Sequence, residues 1–346
     1  MRNSIGFIAV GQAGGNIGML FEKAGHTVLH MNTSLEDLAT LSEAKHVYHI
    51  KGGEGCNKDR DKAKDLIIAD FDNISEQIKK IIFEEFVYVI FSSGGGTGSG
   101  SSPMLIDLLI QHTGKPVGAI TILPSPSEPL KTAINSYECF RELEEIDGMG
   151  ATFVLDNDKQ EKFSINREFV ALFGSLLDIP RYQNFKGNID VAEIKELLRA
   201  RGAAIITKLT KQNSDAARLI KSFRENIFAP LETDLVIKYI GLSASSNLEM
   251  DSIVRETGVC IDVFQGHNPE HTVCMLAGLT FPYTALERLK ARVDDNRDAI
   301  NKSLTATTER KLSDGINFLT ESQAKRSMGD KPKVDPADIF SKYKRK

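Results

Sequence analysis

Apolar residues in the first half of the chain come in short runs set between longer stretches with helical spacing. Ile5–Val10, Thr27–Met31, Val47–Ile50, Val87–Phe91, Val117–Leu123 and Thr152–Leu155 are brief and mostly bounded by Gly, Asn, Asp or Pro, a pattern that predicts strands. Between them, Asp59–Phe83 and Glu128–Ile146 read as helices. Strands that alternate with helices are joined by crossovers and lie parallel. The expectation is an α/β fold with a doubly wound parallel sheet and a ligand at the carboxyl ends of its strands.

A long helix is predicted over Ile165–Ile179, stopping at Pro180, with a polar loop over Arg181–Gly187. A helix (Val191–Arg201) and a strand (Ala203–Lys208) follow, then strands Val259–Phe264 and Val273–Leu279 around a turn at Gly266–Pro269. These elements predict a nucleotide-binding domain at 1–164, a central helix at 165–182 and a second α/β domain at 183–282. A charged helical region at 283–325 and a flexible basic tail at 326–346 complete the chain.

Composition changes this picture little. With 346 residues, 41% hydrophobic and 26% charged, the chain is an ordinary globular one that needs no disulfide or metal staple. A net charge of −4 does not by itself call for nucleic acid or membrane. Cys56, Cys139, Cys260 and Cys274 form no Cys-x-x-Cys pair, so reduced thiols are expected and no metal site. The start of the chain lacks a signal-peptide core, and no apolar run is long enough to span a bilayer. A cytoplasmic location is expected.

The strongest local signal is Gly94-Gly95-Gly96-Thr97-Gly98-Ser99-Gly100, after a strand ending at Phe91-Ser92-Ser93. It precedes a helix expected to begin near Ser101, with Pro103 in its first turn. Glycines allow positive φ and close approach of backbone to a ligand, and the amides at a helix start favour an anion. Thr97, Ser99, Ser101 and Ser102 offer additional hydroxyl donors. A second loop, Gly11-Gln12-Ala13-Gly14-Gly15-Asn16, follows the first strand, and a third, Gly52-Gly53-Glu54-Gly55-Cys56-Asn57, follows the third. One such cluster fits a tight turn equally well. Three at the ends of neighbouring strands favour a di- or triphosphate. No G-x-x-x-x-G-K-[ST] is present, and the second strand ends in Asn32 where a dinucleotide site would need an acid.

GGGTGSG at Gly94–Gly100 resembles the signature loop of the tubulin/FtsZ family. GQAGGN at Gly11–Asn16, Asn32-Thr33 and Asn157-Asp158 are similar to family motifs in the same order. The resemblance implies GTP and GDP as ligands, with Mg²⁺ held mainly by phosphates and water. It implies that Asn16, Asn157 and Asn166 contact guanine and that Glu128 meets the ribose. From the residues alone, each asparagine is equally a turn or cap residue, and adenine is not excluded.

Asn188-Ile189-Asp190-Val191-Ala192-Glu193 follows the long helix. Asp190 and Glu193 share a helix-start face, where carboxylates ordinarily act as caps. The resemblance implies more: that Asn188, Asp190 and Glu193 enter the nucleotide site of the next subunit in a head-to-tail filament and orient the attacking water. Glu193 stands where FtsZ carries Asp. The tail, with eight Lys or Arg against three Asp from Lys325 to Lys346 and with Ile339, Phe340 and Tyr343 interleaved, differs from the acidic tails of eukaryotic tubulins. It is similar to that of the plasmid- and phage-borne partition tubulins, which implies a DNA-binding adaptor protein as partner, with DNA reached indirectly and no membrane. A division-type or phage spindle-type filament, or a non-hydrolysing nucleotide-binding protein, remain alternatives.

Overall fold

The computed structural model describes residues 1–309 apart from 233–236, 247 and 249. The basic tail and the rest of 310–346 lie outside the described residues. Two compact units divide the chain, Met1–Asp295 and Asn296–Lys346, and only the first is discussed below.

Ten strands form one sheet: β1 (Ile5–Val10), β2 (Thr27–Asn32), β3 (Val47–His49), β4 (Phe86–Ser92), β5 (Val117–Leu123), β6 (Ala151–Asp156), β7 (Gly202–Thr210), β8 (Ile237–Ala244), β9 (Cys260–His267) and β10 (His271–Leu279). Their order is β3-β2-β1-β4-β5-β6-β7-β10-β8-β9. The first seven run parallel, whereas β10 is antiparallel to both β7 and β8. β1, β4 and β5 are buried almost end to end, as strands covered on both faces must be. The order turns at β1 and β4, which are sheet neighbours with Ala9 opposite Ile90. A crevice opens beyond such a reversal, so the fold itself marks a ligand site there.

The helices of the first half are α1 (Gly11–Lys23), α2 (Leu35–Ala39), α3 (Arg60–Ile81), α4 (Thr97–Thr113) and α5 (Leu130–Glu145). Next come α6 (Lys162–Asp178), α7 (Val191–Arg199), α8 (Ala216–Arg224), α9 (Met250–Thr257) and α10 (Tyr283–Glu309). The six expected first-half strands are all present, within one residue at either end. β8 has no counterpart in the sequence reading. Gly241 weakens its pattern, and a Cβ there would lie 2.4 Å from Leu197 Cδ1, so glycine is required by α7 packing.

The expected division at 164 and 183 is not a division of the core. β6 and β7 pair with Ala151 opposite Gly202, so one sheet crosses it. Phe169 and Phe173 of α6 pack edge-on to Phe21, and Phe228 of the second half lies 6.0 Å from Phe169 and 6.4 Å from Phe153. The aromatic cluster holds α6 against the sheet and joins the halves.

α4 begins at Thr97, four residues earlier than expected, so Pro103 lies in its second turn. Proline cannot donate to the carbonyl four residues back, here that of Ser99. Arg60 donates to Ser99 O instead, at 3.1 Å from Nη2, and is held by Glu142 at 2.5 Å. An arginine thus replaces the missing helical hydrogen bond.

His26 and His30 are buried at the far side of this core, and burial pushes both imidazoles below their ordinary range; at His30 the contact with Glu22 opposes that shift. A histidine held neutral in the fold but titrating normally when unfolded contributes stability above pH 6.5 that is lost progressively as pH falls below 6.5 and through the lower folded value. The urea midpoint is expected to drop between pH 7 and pH 5, with each histidine contributing a slope of at most about 1.4 kcal/mol per pH unit. His30→Gln should flatten the slope; an unchanged slope would place the acid sensitivity elsewhere.

Candidate nucleotide site

A cavity of about 570 Å³ opens at the β1–β4 reversal. Gly11, Gln12, Ala13 and Asn16 line it from α1, Gly94, Gly95 and Gly96 from the loop after β4, and Thr97 and Gly98 from the start of α4. Asn32, Gly55, Asn57, Glu128, Asn157 and Asn166 complete the expected residues that reach it. The two glycine loops touch: a Cβ on Gly11, which has φ +73°, would lie 3.4 Å from Gly98 N.

The helix starts explain what the cavity can hold. Side chains cap α2 (Ser34), α3 (Asp59), α6 (Glu161), α7 (Asp190) and α8 (Asp215). α1, α4 and α5 have no side-chain cap, and the first residues of α1 and α4 line the cavity. Each helix leaves its first amides without an intrahelical partner and carries about half a positive charge at that end. Two such ends facing one cavity make a receptor for an anion with several oxygens, as a phosphate chain is.

Four expected residues lie outside the lining, and packing explains each. A Cβ on Gly14 would lie 2.3 Å from Ile90 O, so glycine lets α1 press on β4. On Gly15 it would meet Leu41 Cδ1 at 2.9 Å, and on Gly53 the Thr33 backbone at 2.7 Å. Ser99 is fully buried and donates its hydroxyl to Gly95 O. Of the other hydroxyls, Ser101 donates to Thr97 O and Ser102 is buried, so Thr97 alone of the four reaches the cavity. Positive φ is likewise not the reason for the glycines of the signature loop. Gly96 has φ −93°, and its hydrogen is needed because a Cβ would lie 2.8 Å from Lys58 N.

At the opposite end, Asn16, Asn157, Asn166 and Phe163 surround the cavity. Phe163 is 58% exposed and gives this end an aromatic surface. Glu128 Oε1 accepts from Lys162 Nζ at 2.9 Å and from Asn157 Nδ2 at 3.4 Å. Burial alone would raise the Glu128 carboxyl, but these donors outweigh it and hold the group below its usual range. Asn32 donates to Asp37 Oδ2 and accepts from Ser34 N, which fixes its amide.

Sequence reasoning passed over Asn135, Thr33, Asp37, Phe163 and Lys162 as site residues. Thr33 Oγ1 lies 2.7 Å from Thr97 Oγ1, tying the loop after β2 to the signature loop. Asn135 carried no glycine or charge signal in the sequence, yet it donates to Gly95 O at 2.8 Å and Lys58 O at 3.0 Å. Of the basic residues after the third loop, Lys62 donates to Gly55 O and Arg60 and Lys64 pair with Glu142, so only Lys58 lines the cavity.

Asn188, Asp190 and Glu193 do not line the cavity. Asp190 accepts from Glu193 N at 2.9 Å and Glu193 accepts from Asp190 N at 2.7 Å, a reciprocal capping box at the start of α7. Asn188 and Asp190 are exposed. Among the described residues no group of three His, Cys, Asp or Glu is arranged to hold a metal, and no helix is long and apolar enough to cross a membrane.

Residues 4–164 match the Tubulin/FtsZ family, GTPase domain. Together with the sheet order and the cavity at its reversal, this match makes residues 4–164 a domain of the Tubulin/FtsZ GTPase type. Along its whole length the chain resembles the tubulin-like protein TubZ of Clostridium botulinum C phage. The two are 28% identical over 360 residues, 99% of this chain and 100% of that protein. The tail-truncated structure of C. botulinum phage c-st TubZ superposes with a TM-score of 0.78 at 29% identity, covering 86% of this chain and 99% of the other. A GTPγS-form protofilament of Bacillus thuringiensis serovar israelensis TubZ shares the fold, with a TM-score of 0.73 at 18% identity over 87% and 94% of the two chains.

Gly96→Val tests the cradle. Its side chain has no room against the Lys58 backbone, and overpacking of this kind costs ~1–3 kcal/mol. Titration with fluorescent GTP analogues is expected to show affinity lowered about 10- to 100-fold with the far-UV spectrum retained. Unaltered affinity would move the phosphates away from this loop.

Proposed function

We propose that this chain is a polymerising GTPase that forms head-to-tail filaments, hydrolyses GTP at the subunit interface and moves plasmid or phage DNA. The observation that carries the reading is the separation of two half-sites. The cradle lies at the start of α6, where Phe163 and Asn166 line it, and Asn188, exposed Asp190 and Glu193 come after its other end, at the start of α7. α7, which Asp190 caps, is tied through Lys195 and Arg199 to Glu85 at the entry to β4, the end of that strand away from the signature loop, so one subunit does not bring its own Asp190 and Glu193 to its own phosphates. A head-to-tail neighbour can.

In that arrangement the uncapped starts of α1 and α4 hold the phosphate chain, and Asn16, Asn157 and Asn166 hold guanine, with Glu128 at the ribose. Mg²⁺, held mainly by phosphates and water, supplies charge neutralisation. Asp190 and Glu193 from the neighbour orient a water and accept its proton, with Asn188 beside them. Phosphoryl transfer depends on positioning and charge stabilisation, which a split site provides only after assembly. Support for the filament comes from similarity to TubZ, one of whose relatives has been seen as a GTPγS-form protofilament.

Turnover per subunit is expected to rise steeply with protein concentration, and a flat specific rate from high dilution upward would refute a shared site. Asp190→Asn and Glu193→Gln keep the cap-forming groups while removing the charges. Each is expected to leave GTP binding and assembly intact and to slow phosphate release by about 10²–10⁴-fold. Loss of nucleotide binding in either variant would mean that the residue is structural.

The basic tail, outside the described residues, is assigned to a DNA-bound adaptor protein. Its cationic charge steers the encounter, and Ile339, Phe340 and Tyr343 supply apolar anchors. Phe340→Ala with Tyr343→Ala keeps the charge, so a pulldown of centromere-bound adaptor should fail with this variant while GTPase activity persists. Retained capture that collapses with salt would instead indicate direct contact with DNA phosphates.

A further inference from the structure

The residues between α6 and α7 are seated on the last hairpin of the sheet. Gly187 O accepts from His267 N at 3.0 Å, and Gly187 has φ +128°, a conformation that needs glycine. A Cβ on Gly187 would lie 3.2 Å from Gln265 O. A Cβ on Gly266 would lie 2.8 Å from Ile189 N and 3.1 Å from Asn188 C. Gly266 is not one of the glycines at positive φ, so its missing Cβ serves this contact and not its own backbone. Two stretches of backbone therefore meet at the end of β9, the strand at one edge of the sheet.

A second contact lies a few residues earlier. The Tyr182 ring stands edge-on to His271 with centroids 5.8 Å apart, and its hydroxyl donates to Glu270 Oε2 at 3.3 Å. The turn between β9 and β10 is itself well braced. Asn268 is fully buried, and its Oδ1 accepts from Glu270 N at 3.0 Å and from His271 N at 3.3 Å. Its own N donates to Ala244 O at 2.9 Å, and β10 behind it pairs on both sides, with β7 and β8. Ile189, 1% exposed, ends the seam, and the next residue is Asp190. The body of α7 is held elsewhere, by Lys195 and Arg199 on Glu85 and by Leu197 against Gly241. What the hairpin adds is the placement of the chain just ahead of the acidic pair.

We propose that Gly266 and Tyr182 are positioning residues, through which the β9–β10 turn sets where Asp190 and Glu193 stand and so how they meet a neighbour's nucleotide. This inference rests on the reading of that pair as the groups that act on the neighbour's phosphates. Neither Gly266 nor Tyr182 lines this chain's own cradle, so nucleotide binding and hydrolysis are separable at them. A misplacement of about 1 Å in a reacting geometry is enough to cost about 100-fold in rate.

The chain is assembled with GTP, and phosphate release is measured per polymerised subunit, with polymer quantified by sedimentation. Gly266→Ala and Tyr182→Ala are each expected to slow release about 10- to 100-fold and to leave GTP affinity within about twofold. Tyr182→Phe keeps the ring on His271 and gives up one hydrogen bond, so its release should stay within about threefold of wild type. Mixing supplies a readout that loosened packing does not reproduce. In copolymers with wild type, each junction draws its acidic loop from one subunit only, so the rate should fall in proportion to the fraction of Gly266→Ala subunits. A fall with the square of the wild-type fraction would mean that the variant's cradle is damaged too, and would overturn the proposal. Wild-type release in both Gly266→Ala and Tyr182→Ala, or lost GTP affinity in either, would also overturn it. Tyr182→Ala removes a half-buried contact and no backbone seam, so it decides the matter even if Gly266→Ala does not fold. If Glu193→Gln releases phosphate at the wild-type rate, the shared-site reading fails first, and this inference with it.

Discussion

Two helix starts without side-chain caps, brought face to face by adjacent parallel strands, are the constraint from which the rest of this site follows. Every α-helix begins with amides that its own turns do not satisfy. This chain fills that need at five helices with Ser34, Asp59, Glu161, Asp190 and Asp215. At α1, α4 and α5 it does not, and the first two are the helices that leave β1 and β4 where the strand order reverses. A capping carboxylate at either start would add negative charge where a phosphate chain has to sit. The Thr33–Thr97 hydroxyl pair, the Asn135 amide and the Arg60–Ser99 contact are all devices for holding the loops in register around those open ends.

The same economy shapes the acidic loop. Asp190 and Glu193 satisfy the start of α7 reciprocally, which accounts for their spacing without any reference to chemistry. Capping does not compete with a role at a neighbour's phosphates. Each carboxylate commits one oxygen to the box, Asp190 through Oδ1 and Glu193 through Oε2. The box fixes both groups in orientation, and Asp190 remains exposed at the start of α7, outside the chain's own cradle. A pre-oriented pair of charges loses little freedom when a second subunit arrives, which is how a positioned group gains over a mobile one.

Much of this was legible in the sequence, for reasons that differ by element. Buried parallel strands write themselves as uninterrupted apolar runs, so β1 and β5 are found to the residue. β8 was hidden because Gly241 breaks its run to admit Leu197. The glycine loops announced the cradle, and fifteen of the nineteen expected binding residues line it. Gly14, Gly15, Gly53 and Ser99 do not, since a glycine needed for helix–strand contact looks the same in a sequence as one needed for a ligand. Asn135 left no trace, and Thr33 showed only as the neighbour of Asn32 in a motif, because their value comes from partners 40 and 64 residues away. Nor could periodicity show that the two halves share a core: that depends on Phe169 meeting Phe228.

The signature loop shows how a right motif can be read with the wrong physics. Glycine-rich loops are usually explained by positive φ, yet Gly96 lies at φ −93° and the left-handed residues are Asn57 and Lys58 in the loop opposite. What Gly96 lacks is a Cβ, and the space so freed is taken up by the Lys58 backbone. The requirement for glycine at one position and the unusual conformation at the other are thus two sides of one contact. Pro103 belongs to the same logic: it removes a helical donor from Ser99, and Arg60, two residues beyond Lys58, supplies the replacement. The third loop is therefore fastened to α4 at both ends of its turn, by a close approach at Gly96 and by a guanidinium at Ser99. Movement of that turn cannot be local. Whatever displaces it must be felt at the start of α4, where the phosphates would lie.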